Sequence, residues 1–135
     1  MTSEKFNEIK KNISEHINIT DSNIAGKLLL HAKMSTKYLA IFTEESLLMS
    51  QMKVDLESKY GTLYMDFKTT SRYELKVAEI EYNINANSEY IGLKRAYLEQ
   101  ESYVKFLEGF IGILKNLNYS LKGYVDLKIW LSGGK

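Results

Sequence analysis

The chain contains no cysteine and no proline among its 135 residues. Without cysteine it has no disulfide, no thiolate metal ligand and no thiol nucleophile. Without proline, no residue of that kind interrupts a long helix. No apolar stretch approaches the roughly 20 residues that cross a bilayer. Residues 1–11 are charged and lack the apolar core of an export signal, so we expect a cytoplasmic protein.

The chain also has almost no excess of charge of either sign. The chain has 18 Lys+Arg and 17 Asp+Glu, which leaves a formal net charge of +1. A polyanionic partner must therefore be held by local basic patches, because the protein has no overall basic field.

Apolar residues recur at helical spacing along the chain, which predicts an all-α fold. A first helix is expected over residues 4–18. There Phe6, Ile9 and Ile13 follow one another at steps of three and four, while charged residues point elsewhere. This pattern is typical of an amphipathic helix.

A long second helix is expected from about Ser22 to Tyr60, with apolar residues on several sides. Such a helix is usually covered on several sides. Gly61 is expected to end it, since glycine is the residue that most often follows a helix. Residues 61–71 leave two interpretations open, either an extension of the helix or a loop that leads into the next one.

A third helix is expected over residues 72–85. Three asparagines between residues 83 and 87 weaken helix propensity, so we expect a bend near Ala86. A further helix resumes around Ser88 and leads into the last segment of the chain.

The last segment carries the clearest pattern in the sequence. Apolar positions alternate four and three residues apart over about four heptads, a length at which a coiled coil is a reasonable prediction. Tyr103 precedes this heptad stripe, and Ser120 is its polar member. The positions are Phe106, Phe110, Ile113, Leu117, Ser120, Tyr124, Leu127 and Leu131.

Glycine and asparagine complicate the same segment. Gly109, Gly112 and Gly123 each lower helix propensity by about 1 kcal/mol relative to alanine, a cost that close packing of the helix would explain. Asn118 tolerates a left-handed backbone, so one long helix and two shorter ones both remain open.

The second and last helices carry more apolar surface than one partner helix needs, which favours self-association. In a monomer several large side chains would face water: Leu29, Leu47, Ile111, Leu114, Ile129 and Trp130. We therefore treat the chain as one helical domain, residues 1–135. Residues 1–71 supply N-terminal helices and a linker, and residues 72–135 supply oligomerisation through the heptad stripe and Trp130. The alternative is that these side chains fill the core of a monomer.

No catalytic constellation is visible, so we expect no enzyme activity, no metal and no cofactor. His16 and His31 are fifteen residues apart and lack a second ligand at helical spacing. The paired glutamates along the helices are typical of solvated faces rather than of an acid–base pair.

Nucleic-acid binding is a hypothesis that the basic residues raise. Residues 22–43 contain no acidic side chain. The candidate contacts are Lys33, Lys37, Lys53, Lys59, Lys68 and Arg72. Ten tyrosines offer stacking surfaces for bases. The alternative is that the lysines only solvate helix faces and the tyrosines pack in interfaces.

The C-terminal block resembles the UvsY recombination-mediator family of T-even-like phages. The similar segments are Phe106-Leu107-Glu108-Gly109-Phe110-Ile111, Leu114-Lys115-Asn116-Leu117-Asn118-Tyr119, Leu121-Lys122, Asp126-Leu127-Lys128 and the terminal Gly-Lys. Leu114-Lys115 and Asn118-Tyr119 stand where the family has an Ile-Lys and a Gly-Phe pair. The similarity continues weakly upstream over most of the chain.

The resemblance implies a non-enzymatic accessory of homologous recombination in a phage-infected bacterial host. Such proteins bind single-stranded DNA, help displace the single-strand-binding protein and load a RecA-like recombinase. They act as ring-shaped homo-oligomers, hexamers or heptamers, assembled through the C-terminal region. The resemblance therefore implies closure of a ring by the heptad-bearing helix. The rival reading is a helical scaffold or adaptor that does not bind DNA.

One position departs from the family. Its Leu-Lys-Ala-Arg stretch, associated with strand binding, corresponds here to Leu56-Glu57-Ser58-Lys59. Glu57 would repel phosphate, and only Lys59 keeps the charge. DNA contact is then expected to be weaker or to move to other basic residues, Lys53, Lys68 or Arg72.

Overall fold

Four α-helices account for most of the residues that the structure describes. The structure is a computed structural model that describes residues 3–16 and 24–133. The helices are α1 (Ser3–His16), α2 (Ile24–Thr70), α3 (Val77–Asn85) and α4 (Ser88–Leu131). Those described residues form no strand, so the predicted all-α class is confirmed. Within the same residues, no helix is both long and apolar enough to pass through a bilayer.

The first helix begins and ends close to its predicted bounds. Of its predicted apolar stripe, Ile9 is buried. The side chains of Phe6 and Ile13 lie outside what the structure describes, as do Ser22 and the residues just before α2. The predicted start of the second helix therefore falls in the undescribed stretch.

Helix α2 continues through Gly61 to Thr70, so the prediction that Gly61 ends it was wrong. Leu63 is buried just beyond the glycine, and Tyr64 and Phe67 pack against the same core. Burying such side chains contributes about 1.5–3 kcal/mol each, which exceeds the cost of about 1 kcal/mol for one glycine. Residues 61–70 therefore take the helical alternative.

Helix α3 is shorter than predicted and begins at Val77 rather than at Arg72. Helix α3 ends where the sequence predicted a bend. Ala86 caps it, and α4 begins at Ser88. The side-chain oxygen of Asn87 accepts a hydrogen bond from the backbone N–H of Tyr90 at 3.0 Å. Asparagine in this role satisfies one of the free donors at a helix start, so it separates the two helices and begins the second.

Helix α4 is a single helix of 44 residues. Of the two alternatives at Asn118, the continuous one is therefore correct. No non-glycine residue in the described ranges has a positive φ.

The chain divides into two compact units. The first unit comprises Met1–Thr43 and Lys105–Lys135, and the second unit comprises Glu44–Val104. Helices α2 and α4 each contribute to both.

In the first unit, α1, the start of α2 and the end of α4 supply the core. Its buried apolar side chains are Ile9, Met34, Tyr38, Leu107, Phe110, Leu114 and Leu121. Asn12 of α1 donates a hydrogen bond to the hydroxyl of Tyr38 at 3.2 Å, which joins α1 to α2.

In the second unit, a core forms where α2, α3 and α4 meet. Leu63, Ile80, Ile84 and Tyr90 are buried together. Gln100 of α4 is also buried, and its amide donates to the backbone carbonyl of Glu45 at 3.0 Å and to its carboxylate at 2.6 Å. Because a buried amide without partners is costly, this double contact stabilises the pairing of α2 with α4.

Candidate nucleic-acid interface

A cleft of about 340 Å³ lies between α1 and α2 in the first unit, and we call it the α1–α2 cleft. It is lined by Asn12, Glu15, Lys27, Leu30, Lys33, Met34, Lys37 and Tyr38. Two predicted DNA-contact residues, Lys33 and Lys37, therefore share one cleft, together with a third lysine that sequence reasoning did not select.

Helical spacing explains why these residues converge. Lys27, Leu30, Met34 and Lys37 follow one another at steps of three and four, which places them on one face of α2. Lys33 lies at the edge of that face. Apolar side chains thus form the floor of the cleft and lysines stand around it.

The lysines of the cleft differ in their contacts. Lys27 donates to the backbone carbonyl of Glu15, near the end of α1, where carbonyls lack helical partners. The ammonium of Lys37 lies 5.6 Å from the centre of the Tyr38 ring. Lys33 forms no hydrogen bond or ion pair with any other described residue. With three lysines and one glutamate in the lining, the cleft carries a formal charge of +2.

The other four predicted contacts belong to the second unit and are spread out. Lys53 and Lys68 are exposed on α2, and their separation of fifteen positions corresponds to about 22 Å along the helix axis. Arg72 is exposed in the connection that follows α2.

Lys59 forms an ion pair with Glu89 of α4, with Nζ and Oε2 2.5 Å apart. The hydrogen bond from Lys59, and its positive charge, hold the pKa of Glu89 below its ordinary value. Both side chains are accessible, so the pair contributes little to stability. Lys59 is nonetheless already engaged by a carboxylate.

The predicted oligomerisation residues fall into three groups on α4. Phe110 is buried inside its own unit. Phe106, Leu117 and Tyr124 are half-buried. The exposed members are Ile113, Leu127, Trp130 and Leu131.

A second stripe on α4, which sequence reasoning missed, packs inside the chain. Leu107, Leu114 and Leu121 are buried at heptad spacing, and each lies one residue after a member of the predicted stripe. The expectation that Leu114 would face water in a monomer was therefore wrong. The two stripes share Phe110, Leu117 and Tyr124. Sequence spacing does not separate them, because both alternate four and three residues apart.

Three glycines of α4 have open space where a side chain would begin, as far as the described residues extend. A Cβ added at Gly109, Gly112 or Gly123 would meet no atom within 4 Å. The close packing that would explain these glycines is therefore not supplied by any residue that the structure describes.

A further basic cleft, of about 380 Å³, occurs in the second unit and was not predicted. We call it the Arg95 cleft. It is lined by Asn85, Tyr90, Ile91, Lys94, Arg95 and Leu98. The signal in the sequence was present, because Lys94 and Arg95 lie three and four residues after Ile91, and Leu98 lies four and three residues after them.

Of the two histidines, the structure describes the side chain of His31. It is buried in the first unit, with its Nε2 3.5 Å from the Ser35 hydroxyl. Burial lowers the pKa of His31. Across the described ranges, no group of three or more His, Asp or Glu stands close enough to hold a metal ion.

Comparison of this chain with known proteins finds no matching family model, no matching curated protein and no matching solved structure.

Proposed function

We propose that this protein binds single-stranded DNA and acts as a recombination mediator. In that role it promotes loading of a RecA-like recombinase in place of single-strand-binding protein, in the cytoplasm of a phage-infected bacterium. The observation that carries the binding step is the α1–α2 cleft, where lysines surround an apolar floor. The mediator role itself rests on the resemblance to the UvsY family.

The chemistry of the cleft suits a single strand. Proteins that bind such strands combine cations for the phosphates with apolar or aromatic surface for the bases. Lys33 and Lys37 supply the cations, and Leu30, which is 44% exposed, supplies accessible apolar surface. Tyr38 is buried and forms part of the cleft floor, so its ring is not available to stack against a base.

Assembly would multiply this weak contact. In this proposal, copies of the chain associate through the exposed side of α4, where the glycines allow a second helix to approach. The accessible side chains there are Ile113, Leu127, Trp130 and Leu131. A ring repeats the α1–α2 cleft in every subunit. Linked weak sites bind a single strand far more tightly than one site alone.

The test is a titration of fluorescently labelled oligothymidine at two or more salt concentrations. Substitution of both Lys33 and Lys37 by Ala removes two phosphate contacts. Each contact contributes about 0.7 to the slope of log affinity against log salt, so the slope should shrink by about 1.4. The double substitution Lys76→Ala with Lys122→Ala, an equal charge loss at two exposed positions outside the cleft, is the matched control and should change neither the affinity nor the salt slope by as much.

Two results would argue against the proposal. If the wild-type protein does not bind oligothymidine at low salt, it does not bind single strands. If the protein binds but fails to accelerate assembly of a RecA-like recombinase on strands coated with single-strand-binding protein, the mediator role is wrong.

A helical scaffold that does not bind DNA is the second candidate. It is favoured by exposed apolar side chains on α2 in the second unit, where Leu47 and Val54 are each 63% exposed. Such surface marks contact with another protein. Absence of any oligonucleotide binding, with assembly intact, would favour this function over the first.

A further inference from the structure

The Arg95 cleft brings two cations and two apolar side chains to one place in the second unit. Ile91, Lys94, Arg95 and Leu98 lie on one face of α4, and Asn85 at the end of α3 completes the rim. Ile91 is 39% and Leu98 49% exposed, so accessible apolar surface lies directly beside the charges.

The two cations have no internal partner. Neither Lys94 nor Arg95 forms a hydrogen bond or an ion pair with another described residue. Glu99 lies four residues after Arg95, yet no ion pair joins them. No acidic residue lines the cleft, so its formal charge is +2, from Lys94 and Arg95. The lining therefore carries two positive charges that no ion pair with a described residue engages.

From this we infer that the Arg95 cleft is a second contact for single-stranded DNA and takes one nucleotide, with its phosphate on Arg95 and Lys94 and its base against Ile91 and Leu98. The inference rests on the proposed function. It adds a contact in the other unit, on a different helix, and it does not depend on the residues of the α1–α2 cleft.

Three features favour a nucleotide as the ligand. The planar guanidinium of Arg95 matches two oxygens of a phosphate, and Lys94 adds a point charge. The volume lies within the range of ligand clefts, about 300–1,000 Å³. The remaining polar group at the rim is the neutral amide of Asn85, which both donates and accepts hydrogen bonds and so complements a base edge. A peptide made only of acidic residues would use the cations but has no flat apolar face for Ile91 and Leu98.

The experiment uses the full chain and labelled oligothymidine over a range of salt. Arg95→Ala should weaken binding about tenfold, as loss of a charged hydrogen bond does. It should also reduce the salt slope by about 0.7. Arg95→Lys keeps the positive charge but loses the planar guanidinium that donates two parallel hydrogen bonds. It should therefore keep the wild-type salt slope and bind with an affinity between those of Arg95→Ala and the wild type. Lys76→Ala, an exposed lysine of the same unit outside the cleft, is the control.

A direct readout supports the titration. The side-chain Nε–H signal of Arg95 in an NMR spectrum should shift when oligothymidine is added. A shift with a hexaglutamate peptide and none with oligothymidine would overturn the inference in favour of an acidic peptide.

The outcomes separate this inference from the proposed function. If Arg95→Ala and Lys94→Ala leave affinity and slope unchanged while the Lys33 and Lys37 substitutions weaken binding, the Arg95 cleft is not a strand contact and the proposed function stands. If the wild-type protein binds no oligothymidine at all, both are wrong.

Discussion

The ring of Tyr38 meets the ring of Phe110 edge to face, with centroids 4.8 Å apart and planes inclined at 75°. This arrangement is one of the favoured geometries for aromatic pairs. It joins α2 to α4 within the first unit, and the Asn12–Tyr38 hydrogen bond adds α1. Phe110 therefore acts as a core residue of its own chain, and its predicted role between chains needs a different test.

Phe110→Ala should lower the free energy of unfolding by about 3–5 kcal/mol, because it leaves a cavity beside Tyr38. Chemical denaturation followed by circular dichroism measures this change. Glu108→Ala, at an exposed position two residues away and on the opposite side of α4, is the matched control and should stay within about 0.5 kcal/mol of wild type. A small loss for Phe110→Ala would mean that this aromatic contact does not hold the unit together.

Self-association is better tested at exposed positions of α4. The double substitution Ile113→Asp with Leu127→Asp places charge on the accessible stripe and should lower the native mass with helix content unchanged. Light scattering and circular dichroism provide the two measurements. Lys122 lies nine residues from Ile113, on the opposite side of the helix. Lys122→Asp should therefore leave the mass unaltered, whereas a large assembly that survives the double substitution would exclude this surface.

Gly61 offers a test of the continuity of α2. Its position is exposed and an added Cβ meets nothing within 4 Å. Gly61→Ala should therefore raise the free energy of unfolding by about 0.5–1 kcal/mol through helix propensity. Thermal and chemical unfolding both report it. If Gly61 ended a helix with a left-handed backbone, alanine there would instead destabilise the protein.

The ion pair of Lys59 with Glu89 predicts a pH effect with a definite sign. The pKa of Glu89 is lower in the folded protein than in the unfolded chain. The contribution of ionised Glu89 to the free energy of unfolding is therefore present above the ordinary pKa of 4.5, and it is lost as the pH falls through the pKa of the folded protein. In Lys59→Met, the pKa of Glu89 should rise toward 4.5, measured from the side-chain carboxyl carbon by NMR. An unchanged titration would show that the pair does not persist in solution.

His31 predicts a second pH effect. Burial lowers its pKa below the ordinary value of 6.5, so protonation favours the unfolded chain. The contribution of neutral His31 to the free energy of unfolding is complete above pH 6.5. It is lost as the pH falls below that value and through the pKa of His31 in the folded protein. His31→Gln should flatten this part of the profile of unfolding free energy against pH.

Local features of the fold were readable in the sequence. Apolar residues at helical spacing and the lack of proline predicted an all-α chain, because both act over a few residues. The bend at Ala86 followed from neighbouring asparagines, and Asn87 caps α4 as its side chain allows. The prediction for Gly61 was wrong because it considered only the low helix propensity of glycine. It left out the packing of Leu63 and Phe67 against the core, which only the tertiary structure shows.

The candidate sites depended on tertiary structure. Spacing placed Lys33 and Lys37 on one helix, but their sharing of a cleft with Asn12 of α1 requires the two helices to pack. On α4, two stripes overlap at Phe110, Leu117 and Tyr124, and only the position of the partner helix selects which one is buried. The sequence by itself determined that the chain is helical, since helix formation is local. The tertiary structure decided which faces are covered and which cations meet, since burial and convergence depend on residues far apart in the chain.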